Sequence, residues 1–218
     1  SDVDVPDAEQ EGHPVYVFKQ ENLALRAAML RIRRIIENYE KAENEEFHPD
    51  LIRGLKHQMS LLGQFQNHYN RKENLFFPGM ERYGHDAPPK VMWSVDDNIR
   101  ALFEKAQTAV EQLPDLTIEE ISSAFEAFAK EFEEMIFKEE AILLMSLLET
   151  LTQDDWLAIA EESDAYGYAI IKPTTKWQPH RENFEDTKQD LAHSTNQTED
   201  SQENSTTDNQ LIKVIDTP

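Results

Sequence analysis

The chain has 218 residues, 39% of them apolar, enough for one sizeable core and therefore one main domain. A formal net charge of -22, from 43 acidic against 21 basic residues, argues against nucleic acid or an anionic membrane surface as partner, because both repel a polyanion. Cysteine is absent, which excludes disulfides, thiolate metal sites and cysteine nucleophiles; a metal would have to use His, Asp, Glu, Asn or Met.

Residues 1–12 are acidic, lack a basic residue and show no periodicity, so a disordered leader is expected. A helix should begin at Gly12-His13-Pro14, since proline is tolerated at the first helical position. Phe18, Asn22, Leu25, Met29, Ile32, Ile36 and Tyr39 then recur at spacings of three and four and form one buried face, with Asn22 its polar member. Arg31, Arg33 and Arg34 fall off this stripe, as on a solvated face. A second helix is expected from Pro49-Asp50, burying Leu51, Leu55, Met59, Leu62, Phe65, Tyr69 and Phe76, with His68, Lys72 and Glu73 at the edge, and stopping at Pro78-Gly79.

A third helix from about Lys90 buries Met92, Asp96, Ile99, Phe103, Ala106, Val110 and Leu113 and ends before Pro114. Thr117-Ile118-Glu119-Glu120 is a capping box, and the helix it opens carries Ile118, Ile121, Phe125, Phe128, Phe132, Met135, Glu139 and Ile142 inward. Thr152 opens a short fifth helix that Gly167 can close, with Trp156 and Tyr168 packing it onto the rest. The expected architecture is all-α: an up-down-up-down four-helix bundle over residues 13–172 with a short C-terminal helix. Residues 173–210 read as a disordered polar linker, and residues 211–218 as the start of another domain.

Asn22, His68, Lys72, Glu73, Asp96, Glu139 and Glu140 are polar residues on or beside apolar stripes. Such groups cost roughly 1–3 kcal/mol each when buried unpaired, so they should meet one another or a ligand. Met135 points inward one turn before Glu139. No glycine-rich phosphate loop, serine elbow or HExxH motif is present, and an enzyme is not expected. The sequence has no apolar run of about 18 residues and no basic-then-apolar leader, which leads to the expectation of a cytoplasmic protein without a membrane span.

His68-Tyr69 followed by Arg71-Lys72-Glu73-Asn74-Leu75-Phe76-Phe77-Pro78 resembles the second-helix motif of the hemerythrin (HHE cation-binding) family. Met92–Arg100 resembles its third-helix motif and Met135–Glu140 its fourth. The phrases Gly12–Asn22 and Pro88–Arg100 resemble more closely a branch of bacterial proteins in which a DUF438 domain precedes this bundle and a PAS domain follows. The resemblance implies a hemerythrin-like bundle within a multidomain sensory protein, with residues 211–218 leading into a PAS-like domain. It also implies a site for iron or another divalent metal, with a small ligand such as a diatomic gas. Hemerythrins use two irons, five histidines and two bridging carboxylates. Here Asn22 stands at the first-helix histidine position, Lys72 at that of the second-helix glutamate, Asp96 at a third-helix histidine and Met135 at the fourth-helix one, while His68 and Glu139 match the pattern.

Three readings follow. In the first, His68, Glu73, Asp96, Glu139 and Glu140 hold a single divalent metal, for which imidazole with carboxylates suits iron, manganese or zinc. In the second, the Lys72 ammonium takes the place of the lost cations and pairs with Asp96 or Glu139 in a metal-free structural bundle. In the third, His68 and Met135 mark a haem pocket. His13 and Asn22 complete the candidates, and a homodimer is compatible with all three.

Overall fold

The computed structural model describes residues 5–180. The helices are α1 (Pro14–Lys41), α2 (His48–Leu62), α3 (Phe65–Arg71), α4 (Phe77–Arg82), α5 (Ala87–Glu111), α6 (Ile118–Lys138), α7 (Leu144–Thr150) and α8 (Gln153–Tyr166). α1, the α2–α4 run, α5 and the α6–α7 run are the four arms of a bundle. α1 packs on α2 and α6, and α5 packs on the same two, closing the ring. The apolar stripes meet at its centre: Phe18, Leu25, Ile32, Phe65, Phe128 and Phe132 are fully buried.

Two arms depart from the expected period at corresponding places. Lys72–Phe76 and Glu139–Leu143 each form a single π turn, closed by Phe77 N–H to Lys72 O and by Leu144 N–H to Glu139 O. One extra residue per turn shifts the stripe, so Lys72 and Glu73 are both buried although they are neighbours in sequence. The second arm does not stop at Pro78-Gly79. Pro78 directly follows the π turn, and the helix runs on to Arg82. Pro88 and Pro89 fall in the first turn of α5, where a missing N–H is harmless, and α5 begins three residues before Lys90. Arg33 is tied down rather than freely solvated, reaching Glu126 at 2.8 Å and Glu133 at 3.1 Å on α6.

The capping box at Thr117 is complete, with Glu120 N–H on the threonine hydroxyl at 3.2 Å and the Glu120 carboxylate on Thr117 N–H at 2.9 Å. A second one, Thr152 with Asp155, opens α8. Gly167, at φ +79°, ends it. Packing extends beyond both expected domain boundaries. Asp7–Glu9 form a 3-10 turn, and residues 167–177 return along the bundle until the Trp177 indole N–H donates to Gln10 at 2.9 Å. Gly12, at φ +84°, lies so close under this returning strap that a Cβ there would collide with the Thr175 carbonyl. The rest of the expected linker, the expected second domain at 211–218 and residues 1–4 lie outside the described residues. Among the described residues, no helix is long and apolar enough to cross a membrane.

His13 is the N-cap of α1, its Nδ1 accepting Val15 N–H at 3.0 Å. It is fully buried between Trp156 and Trp177, with ring centroids at 4.9 and 4.6 Å. Burial lowers its pKa from 6.5 to about 4, against an opposing pull from Asp7. A lowered histidine pKa means that the unfolded chain takes up the proton first. Stability is therefore intact above pH 6.5 and falls as the pH drops towards 4, by roughly 3 kcal/mol in all. His13→Asn keeps a capping side chain that does not titrate, so its thermal midpoint should vary less between pH 6.5 and 4 than that of the parent. Parallel pH profiles in calorimetry would contradict this.

Candidate functional site

Three of the four arms send charged side chains to one level of the core. Lys72, on the first residue of its π turn, is fully buried and donates to Asp96 on α5 at 2.7 Å and to Glu139 at 2.6 Å. Glu139 opens the other π turn, so the two widened turns face each other through this ion pair. The ammonium also lies 3.8 Å from the centroid of the Tyr69 ring, a cation–π contact. Burial alone would lower the Lys72 pKa, but the two carboxylates outweigh it and raise it, keeping the ammonium charged. Burial pushes Asp96 well above the usual carboxylate range. Lys72 opposes that push, and the neighbouring Glu139 and Glu73 add to it. Burial and the same acids push the Tyr69 phenol up as well.

A second ion cluster lies beside the first. Glu21 of α1, fully buried, accepts from His68 Nδ1 at 3.0 Å, from both terminal nitrogens of Arg71, and from the Ala169 backbone N–H at 2.6 Å. Burial pushes its carboxyl upward, but His68 and Arg71 together hold it below its ordinary value. An ionised carboxylate only accepts, so His68 Nδ1 carries a proton towards Glu21. His68 Nε2 lies 3.9 Å from Glu139 Oε1, and neither atom has a hydrogen-bond partner among the described residues. Phe18 covers one face of the His68 ring, with centroids 3.6 Å apart.

The remaining candidates are engaged by other partners. Glu73 is held by Arg100 through two 2.7 Å bonds, and Glu140 accepts from Asn22 at 3.2 Å. Met135 is buried one turn before Glu139. His13 caps α1 in its tryptophan cage. The sequence reading missed Glu21, Arg71 and Arg100. Glu21 had a signal, since it stands three residues after Phe18 and four before Leu25 and so shares the buried face.

A profile of the hemerythrin HHE cation-binding domain matches residues 13–147. The chain belongs to that family. No curated protein matches the sequence. Within this hemerythrin-family bundle the central residues do not fit a bound cation. Lys72 places its own positive charge against Asp96 and Glu139, Arg100 occupies Glu73, and Asn22 draws Glu140 aside. Among the described residues, no three His, Asp or Glu side chains come together as a metal would require.

Tyr69 is fully buried and its hydroxyl has no partner among the described residues, so the aromatic face, rather than the oxygen, is what serves Lys72. Tyr69→Phe should leave thermal stability unchanged or slightly raised. A loss above about 1 kcal/mol in denaturant unfolding would show that the hydroxyl is bonded.

Proposed function

We propose that the chain is a non-catalytic regulatory bundle of the hemerythrin family in which a lysine ammonium replaces the metal. One observation carries this reading: Lys72 Nζ lies 2.7 Å from Asp96 and 2.6 Å from Glu139, at the level where the two π turns face each other. A tethered ammonium meets the electrostatic need that a cation would otherwise meet, and a second positive charge at hydrogen-bond range would be repelled. The family's characteristic activity depends on a cation that binds and changes state. This bundle is left to act through its fold and its attachments, as a module that holds or relays a conformation.

A second reading, one divalent ion between His68 and Glu139, is favoured by His68 Nε2 and Glu139 Oε1, 3.9 Å apart and each without a hydrogen-bond partner among the described residues. It needs further ligands that Lys72 now holds.

Lys72→Met leaves Asp96 and Glu139 buried without their counter-charge. Breaking a buried pair in this way costs about 3–5 kcal/mol, a fall of about 10 °C in Tm for a chain of this size. An unchanged Tm, or stoichiometric iron, manganese or zinc in protein purified without added metal, would overturn the first reading. Stoichiometric metal would support the second. Lys72→Glu removes the ammonium and adds a carboxylate beside His68, Asp96 and Glu139. Its Tm should rise on addition of manganese or zinc while that of the parent does not, and equal responses would contradict the replacement.

A further inference from the structure

The strap formed by residues 167–177 is joined to the ionic core by two side chains, Glu21 and its partner Arg71. One oxygen of Glu21 takes His68 Nδ1 and an Arg71 nitrogen; the other takes the second Arg71 nitrogen and the Ala169 N–H. Ala169 is fully buried, and Glu21 is the acceptor for its N–H. The α2–α3 arm grips the strap on either side. Arg71 donates to Gly167 O at 3.1 Å and covers the Tyr168 ring at 4.7 Å, Asn67 donates to Tyr168 O at 3.0 Å, and Gln64 accepts from Ile170 N–H at 2.7 Å. Ile170 sits at φ +64°, a left-handed conformation that a β-branched residue adopts only under constraint. The strap is thus held strained between two side-chain acceptors, and beyond it the chain continues to Pro218.

We propose that residues 167–177 are a conformational relay, docked or released according to the arrangement of His68 and Arg71, with the Glu21 carboxylate as the joint. His68 makes its described contacts with Phe18, Tyr69, Glu21 and Glu139, none of them in the strap. A change at His68 therefore reaches the strap through Glu21. When His68 withdraws its hydrogen bond, the Glu21 carboxylate is free to turn with Arg71, Ala169 loses its acceptor, and the strain at Ile170 favours undocking. The device depends on Glu21 and Arg71 rather than on the contacts of Lys72.

Hydrogen exchange of the full 218-residue chain, read by mass spectrometry, tests the relay. His68→Phe keeps the ring against Phe18 and removes the Nδ1 donor; strap peptides should exchange about tenfold faster while those of α5 do not change. His68→Asn places an amide N–H near the position of Nδ1 and should restore most of the protection. Unchanged strap exchange in His68→Phe, or equal losses in strap and α5, would overturn the relay. Gln64→Ala leaves the core intact and serves if the His68 variants do not fold. By reciprocity, loosening Ile170 must shift the His68 ring resonances in NMR spectra, and an unmoved His68 signal would overturn the proposal equally.

Discussion

A primary ammonium with no exposure to water dictates much of what surrounds it. Removing such an ion from solvent carries a penalty of several kcal/mol, offset only where its donors meet acceptors at close range. Lys72 meets this demand with Asp96, Glu139 and the face of Tyr69, which come from α5, the second π turn and α3. Three arms of the bundle are thereby fixed in register. Sliding any of them by one turn would leave a buried charge unmatched, whereas an apolar layer tolerates repacking. The pair therefore specifies the arrangement of the bundle more than it adds to its stability.

Charge balance extends this constraint outward. Arg71, Lys72 and Arg100 are the permanent cations of the layer, and Glu21, Glu73, Asp96 and Glu139 are its acids. The acids outnumber the cations by one. Asp96, buried among them, is pushed well above the usual carboxylate range, by burial first and then by Glu139 and Glu73 against the pull of Lys72. Each of the arginines forks onto one carboxylate, so Glu21 and Glu73 are held in fixed orientations.

Helical periodicity carries the bundle plainly in the sequence, because a stripe of apolar residues every three or four positions has few other uses. It also exposes Asn22 and Asp96 as polar interruptions. What it hides follows from the same logic. A π turn adds a residue without changing composition, so neither the joint burial of Lys72 and Glu73 nor the alignment of Lys72 with Glu139 can be counted off a regular helix. Glu21 was masked because Asn22, beside it, already filled the stripe. Arg71 and Arg100 carry no signal of their own in the sequence, since an arginine declares its role only when its carboxylate partner is known. The strap was invisible for a different reason: its contacts run from backbone N–H groups of residues 169 and 170 to side chains about a hundred or more positions earlier, and no local pattern records them.

The difference between a metal and a lysine bears on what such a core can transmit. A metal ion can leave, exchange or change its charge, and its ligands then relax together. An ammonium tethered to the first π turn does none of these, and with its pKa raised by two carboxylates it keeps its proton. Responsiveness must then reside in the groups around it. Glu21 touches both the core and the strap, and its four hydrogen bonds make the docking of the strap conditional on the positions of His68 and Arg71. In this arrangement the ion pair at the centre supplies a rigid reference, and the carboxylate beside it supplies the moving part.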